Sequence, residues 1–168
     1  MNKIIVKPSL LFIAYFSSLI LFNNGFSQSN TFEDALKAAK ELDKKVIVDV
    51  YTDWCGWCKK MDRDAYSNSE IKEIIDDDFI FIKLNAEASD IINYKGKQYT
   101  CSELSAYFQV SGYPTTIFLT SDGNVIEYWY NKFKMNNLPG YYNAYDFKKM
   151  LQYIKDEKYK DTDLSTIL

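Results

Sequence analysis

"VIVDVYTDWCGWCK", Val46–Lys59, decides how the rest of this 168-residue chain is read. Its first half, Val46 to Tyr51, is β-branched and apolar except at Asp49, the pattern of a central strand buried on both faces. Its second half sets Cys55 and Cys58 two residues apart, at the point where the strand ends and a helix from Cys55 to about Ala65 is predicted. A thiol at a helix start faces unpaired backbone N–H groups and the positive end of the dipole, which favours thiolate. A second thiol one turn inward is close enough to close a disulfide. The spacing suits reversible thiol exchange; a purely structural disulfide and half of a zinc site are the other readings. With three cysteines and no histidine in the chain, a closed zinc site would need Cys101 plus carboxylate or water.

Upstream, "TFEDALKAAKELDKK" carries a helical stripe, with Thr31 and the acids after it as an amino-terminal cap. Before it, "MNKIIVKPSLLFIAYFSSLILFNNGFSQ" combines Lys3 and Lys7, no acid, and an apolar run from Leu10 to Phe22. That is the pattern of a secretory signal, with Gly25 and Ser27 as small residues for a cut before Gln28, and the run is shorter than the roughly 20 residues a membrane-spanning helix needs. Residues 1–27 are therefore expected to be a cleaved signal peptide and residues 28–168 a single domain, exported to the periplasm or the extracellular medium. No cysteine precedes Cys55, so none stands at the cut for a lipid anchor.

Downstream, "NSEIKEIIDDD" reads as helix and "FIFIKLN", Phe79 to Asn85, as strand, followed by a turn-prone segment from Ala86 to Tyr99. In "TCSELSAYFQV", Thr100 and Glu103 have capping-box spacing. "GYPTTIFLTSDGNVIEYWY" predicts a hairpin of Thr115–Thr120 and Val125–Tyr130 about an Asp-Gly turn, and "AYDFKKMLQYIKDEKY" a last helix. The order αβαβαββα gives an α/β fold, one mixed central sheet with helices on both faces.

With 47% hydrophobic and 17% aromatic residues the chain can bury a real core. Loss of residues 1–27 removes two of the 20 basic residues and none of the 23 acids, leaving a net charge of about −5. No stretch after Ser29 concentrates Lys or Arg into a basic face, which excludes nucleic acid as a partner.

Taken in order, "VIVDVYTDWCGWCK", "FIKLN" and "GYPTTIFLTSDGNVI" resemble the thioredoxin family over roughly Thr31 to Ile154. The resemblance implies the thioredoxin fold, with Cys55 as the attacking and Cys58 as the resolving cysteine, flanked by Trp54 and Lys59. Asp49, six residues before Cys55, matches the family's buried acid and would act as general base for Cys58; desolvation would raise its pKa, whereas an acid on a strand edge would face water. Lys83 matches a strand lysine that would moderate Asp49, its other reading being a solvated surface side chain. Pro114 matches the family's cis-proline, which would place Tyr113 and its backbone against the disulfide, beside Trp54 and Gly56, ready to pair with an extended substrate. Trp57 would offer an apolar contact to unfolded or peptide-like thiol substrates, its other reading being a ring packed on the protein's own surface.

Gly56-Trp57 departs from the Gly-Pro and the His-containing dipeptides of the family. Without an imidazole beside Cys55, one device that stabilises thiolate in strong oxidants is missing, which points toward reduction of protein disulfides. The implied partners are protein thiols or disulfides and a membrane or soluble thiol electron donor, the cofactor is none beyond the Cys55–Cys58 pair, no metal is implied, and a monomer is favoured. The rivals are an isomerase or oxidase using the same residues, and a redox-inactive binding module or thiolate metal carrier. Cys101 lies outside the motif; it packs as a small hydrophobe, and a place in the first turn of a helix would lower its pKa.

Overall fold

The computed structural model describes residues 31–168, so the expected signal peptide, 1–27, lies outside the described residues. Helix α1, Phe32–Leu42, starts where Thr31 Oγ1 accepts the Asp34 N–H at 3.1 Å and stops at Asp43 in a left-handed conformation. The chain then enters β1, Lys45–Tyr51, the strand on which the architecture is built. β1 lies parallel to β2, Phe79–Asn85, and antiparallel to β5, Thr115–Leu119; β8, Leu138–Pro139, adds to the far side of β5, giving the order β2-β1-β5-β8.

Alternation along β1 divides the interior in two. Val46, Val48 and Val50 join Ile82, Leu84, Ile117 and Leu119 in a core closed by α1 and by α4, Cys101–Tyr107. Ile47 joins Phe79 and Phe118 in a second core closed by α2, Gly56–Met61, α3, Ser69–Asp78, and α5, Ala144–Lys155. Successive strand side chains alternate, so Asp49 shares the face of Ile47, and the β1–β2 register sets it opposite Lys83.

Three local features differ from the sequence-based expectation. The predicted helix from Cys55 to Ala65 is α2 followed by a π-helical stretch, Asp62–Tyr66. The turn-prone segment contains a hairpin of its own, β3, Ile91–Tyr94, and β4, Lys97–Thr100. Lys95 and Gly96 supply the two positive φ angles, 51° and 76°, that its tight turn requires. Tyr94 ties the hairpin to the body through a 2.6 Å hydrogen bond to the Gly123 carbonyl and an edge contact with Phe32.

The expected closing hairpin is corrected more substantially. The Asp-Gly turn forms, with Gly123 at φ 73°, and one bridge joins Leu119 to Val125. Beyond Ile126 the chain leaves β5, and β6, Tyr128–Tyr130, pairs instead with β7, Phe133–Met135. The cause is tertiary. Tyr128 is buried and donates to the Asn137 carbonyl at 2.6 Å, while the Asn137 amide donates to the carbonyls of Phe108 and Gln109. Those bonds draw the returning chain back along β5 as β8.

Among the described residues no helix is long and apolar enough to cross a membrane. The capping box at α4 is complete: Thr100 Oγ1 accepts the Glu103 N–H, and Glu103 accepts the Thr100 N–H at 2.8 Å. Thr100→Ala is expected to lower stability by about 1 kcal/mol in urea denaturation monitored by circular dichroism, with the fold unchanged.

Candidate active site

β1 ends at Tyr51, and four residues later Cys55 caps α2. The Cys55 N–H donates to the Thr52 carbonyl at 3.1 Å, which holds the connecting turn, and Cys55 Sγ accepts the Cys58 N–H at 3.0 Å. Cys55 and Cys58 form a disulfide, and the residues are only 4% and 3% exposed. A backbone N–H aimed at sulfur stabilises a thiolate there once the bond is reduced. Gly56 begins the helix with open space where a Cβ would stand, so packing does not demand glycine at that position.

Asp49 is 1% exposed. Its Oδ2 lies 3.3 Å from Lys83 Nζ, and its Oδ1 has no hydrogen-bond partner among the described residues. Burial raises its pKa to about 6, against the lowering effect of the Lys83 charge and with a further upward push from the Asp62 carboxylate. Lys83 is half-buried over the Tyr51 ring and reaches Asp62 at 2.5 Å as well. Burial pulls its ammonium down, but the hydrogen bond to Asp62 and the charge of Asp49 outweigh that, and its pKa is raised. The buried Tyr66 closes this side, its hydroxyl 3.4 Å from Thr116 Oγ1 and its ring against Phe81 and Phe147.

Around the cysteines, Trp54 and Trp57 are 68% and 59% exposed. Trp54 donates its indole N–H to the Glu87 carboxylate and meets Tyr113 edge-on at 6.0 Å, and the Tyr113–Pro114 peptide bond is cis. Trp57 leans on Tyr141 at 5.5 Å; the Tyr141 hydroxyl donates to Asp64 at 2.6 Å, and Lys60 lies over its ring. The structure thus brings Trp54 together with Tyr113, and Asp49 with Lys83, while Trp57 is joined to a residue the motifs did not indicate. Asp62, Tyr66, Glu87 and Tyr141 were all missed. Only Asp62 left a sequence signal, an acid seven residues after Cys55, two helical turns on. Cys101, first in α4, is packed as a small hydrophobe as expected, but the expected lowering of its pKa is corrected: burial, reinforced by the nearby Asp90, pushes its thiol up. It borders a cleft of about 640 Å³ along the outer edge of β2 that neither Cys55 nor Cys58 lines.

The strand order, the cysteine pair at a helix start and the buried strand acid coincide with a family-level match: the thioredoxin-like domain family matches residues 32–155, and the chain belongs to it. A thioredoxin-fold protein from Helicobacter pylori superposes with a TM-score of 0.62 over 74% of this chain and 80% of that one, at 23% identity, a likeness of fold. Among curated proteins, a protein disulfide-isomerase of Zea mays is 29% identical over 85 residues, 51% of this chain and 14% of that protein. The thiol:disulfide interchange protein DsbD of Colwellia psychrerythraea is 24% identical over 92 residues, 55% and 14% of the two chains. The matched segment is thus a small part of each of these longer relatives.

Because the folded pKa of Asp49, about 6, exceeds the model-peptide value of 3.8, the folded state holds a proton that the unfolded chain has released. The contribution of Asp49 to stability is full below about pH 4 and is lost as pH rises through about 6, a difference of about 3 kcal/mol. Asp49→Asn is expected to flatten that fall and to raise the stability of the oxidised protein at pH 7 by about 1–3 kcal/mol in guanidinium titrations at pH 4, 5.5 and 7.

Proposed function

We propose that the protein is an exported thiol-disulfide oxidoreductase that reduces protein disulfides with the Cys55/Cys58 dithiol. The observation that carries this reading is the Cys55–Cys58 bond at the first turn of α2, on a chain whose preceding strand holds an acid with a proton affinity close to neutrality. Names of the relatives, an isomerase and an interchange protein, agree with thiol–disulfide chemistry on protein substrates.

In the reduced enzyme the Cys55 thiolate attacks one sulfur of a substrate disulfide. The Cys55–substrate S–S bond forms, the substrate S–S bond breaks, and the electron pair leaves on the first substrate thiolate. Cys58 then loses its proton to Asp49 and attacks Cys55 Sγ, which re-forms the intramolecular disulfide and releases the second substrate thiolate. Substrate is reduced by two electrons and the enzyme oxidised by two; a membrane or soluble thiol donor returns them. The disulfide is itself the redox group, with no other cofactor and no metal. Lys83 sets the charge around Asp49, and Trp54, Gly56, Trp57, Tyr113 and Pro114 form the surface against which an extended substrate lies.

Residues 1–27 act as a cleaved signal and residues 28–168 as one monomeric domain in the periplasm or extracellular medium. The lysine-led apolar amino terminus supports that placement. In insulin reduction with dithiothreitol as donor, the wild-type protein is expected to accelerate precipitation of the free B chain, and Cys55→Ser to fall to the uncatalysed rate. Equal rates for the two would defeat the enzyme reading.

A further inference from the structure

Lys83 faces two carboxylates, and it does not treat them equally. Its Nζ hydrogen-bonds Asp62 Oδ1 at 2.5 Å, whereas it stands farther from Asp49 Oδ2, at 3.3 Å. The ammonium is further held over the rings of Tyr51 and Tyr66, at 4.9 and 5.9 Å. We propose that Asp62 is a positioning residue for the dithiol chemistry: by binding Lys83 more closely than Asp49 does, it divides one cation between two carboxylates and leaves Asp49 free to exchange a proton with Cys58. This rests on the reading of Cys55/Cys58 as a redox dithiol served by Asp49.

Backbone geometry aims Asp62 at Lys83. Asp62 opens the π-helical stretch, with buried Met61 before it and buried Ala65 and Tyr66 after it, so its own direction around the helix is fixed by core packing. The Ser67 N–H and hydroxyl both donate to the Asp62 carbonyl, at 2.9 and 2.7 Å, which pins the turn. The two carboxylates differ in what ionisation costs them. The side chain of Asp62 is 43% exposed, while that of Asp49 is 2% exposed, so ionisation costs Asp62 less desolvation than it costs Asp49.

The groups that face Asp49 come from every neighbouring element: Lys83 from β2, Asp62 and Tyr66 from the π-helical stretch, and Thr116 from β5, its register partner, whose hydroxyl meets Tyr66. Of these, Lys83 is the cation that holds the proton affinity of Asp49 down, and Asp62 the anion that raises it. A full commitment of Lys83 to Asp49 would favour a permanent carboxylate, a poor proton acceptor near neutrality. A role confined to fastening the helix to β2 would instead leave the pH profile of the dithiol chemistry unchanged when the charge of Asp62 is removed, although the lost anion by itself lowers the midpoint of Asp49.

The test is a carbon-13 carboxyl NMR titration of Asp49 in the oxidised wild type, Asp62→Asn and Asp62→Glu, with the pH profile of insulin reduction measured on the same proteins. In Asp62→Asn the Asp49 midpoint is expected to move down by about half a unit or more, a roughly threefold loss of proton affinity. Asp62→Glu should bring it back, and the acid limb of kcat/KM should follow both. An unchanged or raised midpoint in Asp62→Asn overturns the division of the cation. A shifted midpoint with an unmoved activity profile overturns its part in the chemistry. If wild type reduces no insulin at any pH, the reductase reading fails, and the carboxyl titration still upholds or overturns the sharing of Lys83 by itself.

Discussion

Placing a carboxyl group in the middle strand of a sheet is costly unless its charge is answered or suppressed. Asp49 occurs in a run that is otherwise Val and Ile, between two apolar cores, and its surroundings do some of each. Lys83 is brought opposite it by the parallel register of β1 and β2 and answers part of the charge. Burial suppresses the rest by raising the proton affinity. The outcome is a group that changes protonation near neutrality on the strand that delivers Cys55. The chemistry proposed for the dithiol depends on that compromise.

The scaffold makes the compromise tolerable. Five consecutive residues of β1, Val46–Val50, are buried, and the two cores they separate are closed by helices on both sides. Rigid packing on that scale resists the relaxation and water entry that would otherwise return Asp49 to ordinary carboxylate behaviour. Two exposed tryptophans flank the cysteines, Trp54 held by Glu87 and Tyr113, and Trp57 by Tyr141. Rigid, exposed aromatic rings are effective contact surfaces because little side-chain entropy is lost when a polypeptide lies on them.

What could be read in the sequence was what is local. The apolar run of β1, the stripe of α1, the Thr100–Glu103 box and the cysteine spacing each announce themselves within a few residues. The β3–β4 hairpin was less visible because its strands are four residues long and partly polar, although Lys95-Gly96 carries the turn. The course of the chain after Ile126 was misread because alternation in "NVIEYWY" specifies strand without specifying a partner; Tyr128 and Asn137 make that choice. The same limit applies at the site. Strand parity placed Asp49 on the face of Ile47 only once the two cores were seen, and no pattern joins Trp57 to Tyr141, 84 positions away in the numbering, or Lys83 to Asp62.

The central claim is that this dithiol is poised to give electrons to protein disulfides, and its reduction potential tests that most directly. Equilibrating the protein at pH 7 with defined dithiothreitol or glutathione redox buffers, and counting free thiols by mass after alkylation, yields the value for the Cys55/Cys58 pair. A potential close to the about −270 mV of thioredoxin is the predicted result, and one close to the about −120 mV of the oxidant DsbA would contradict it.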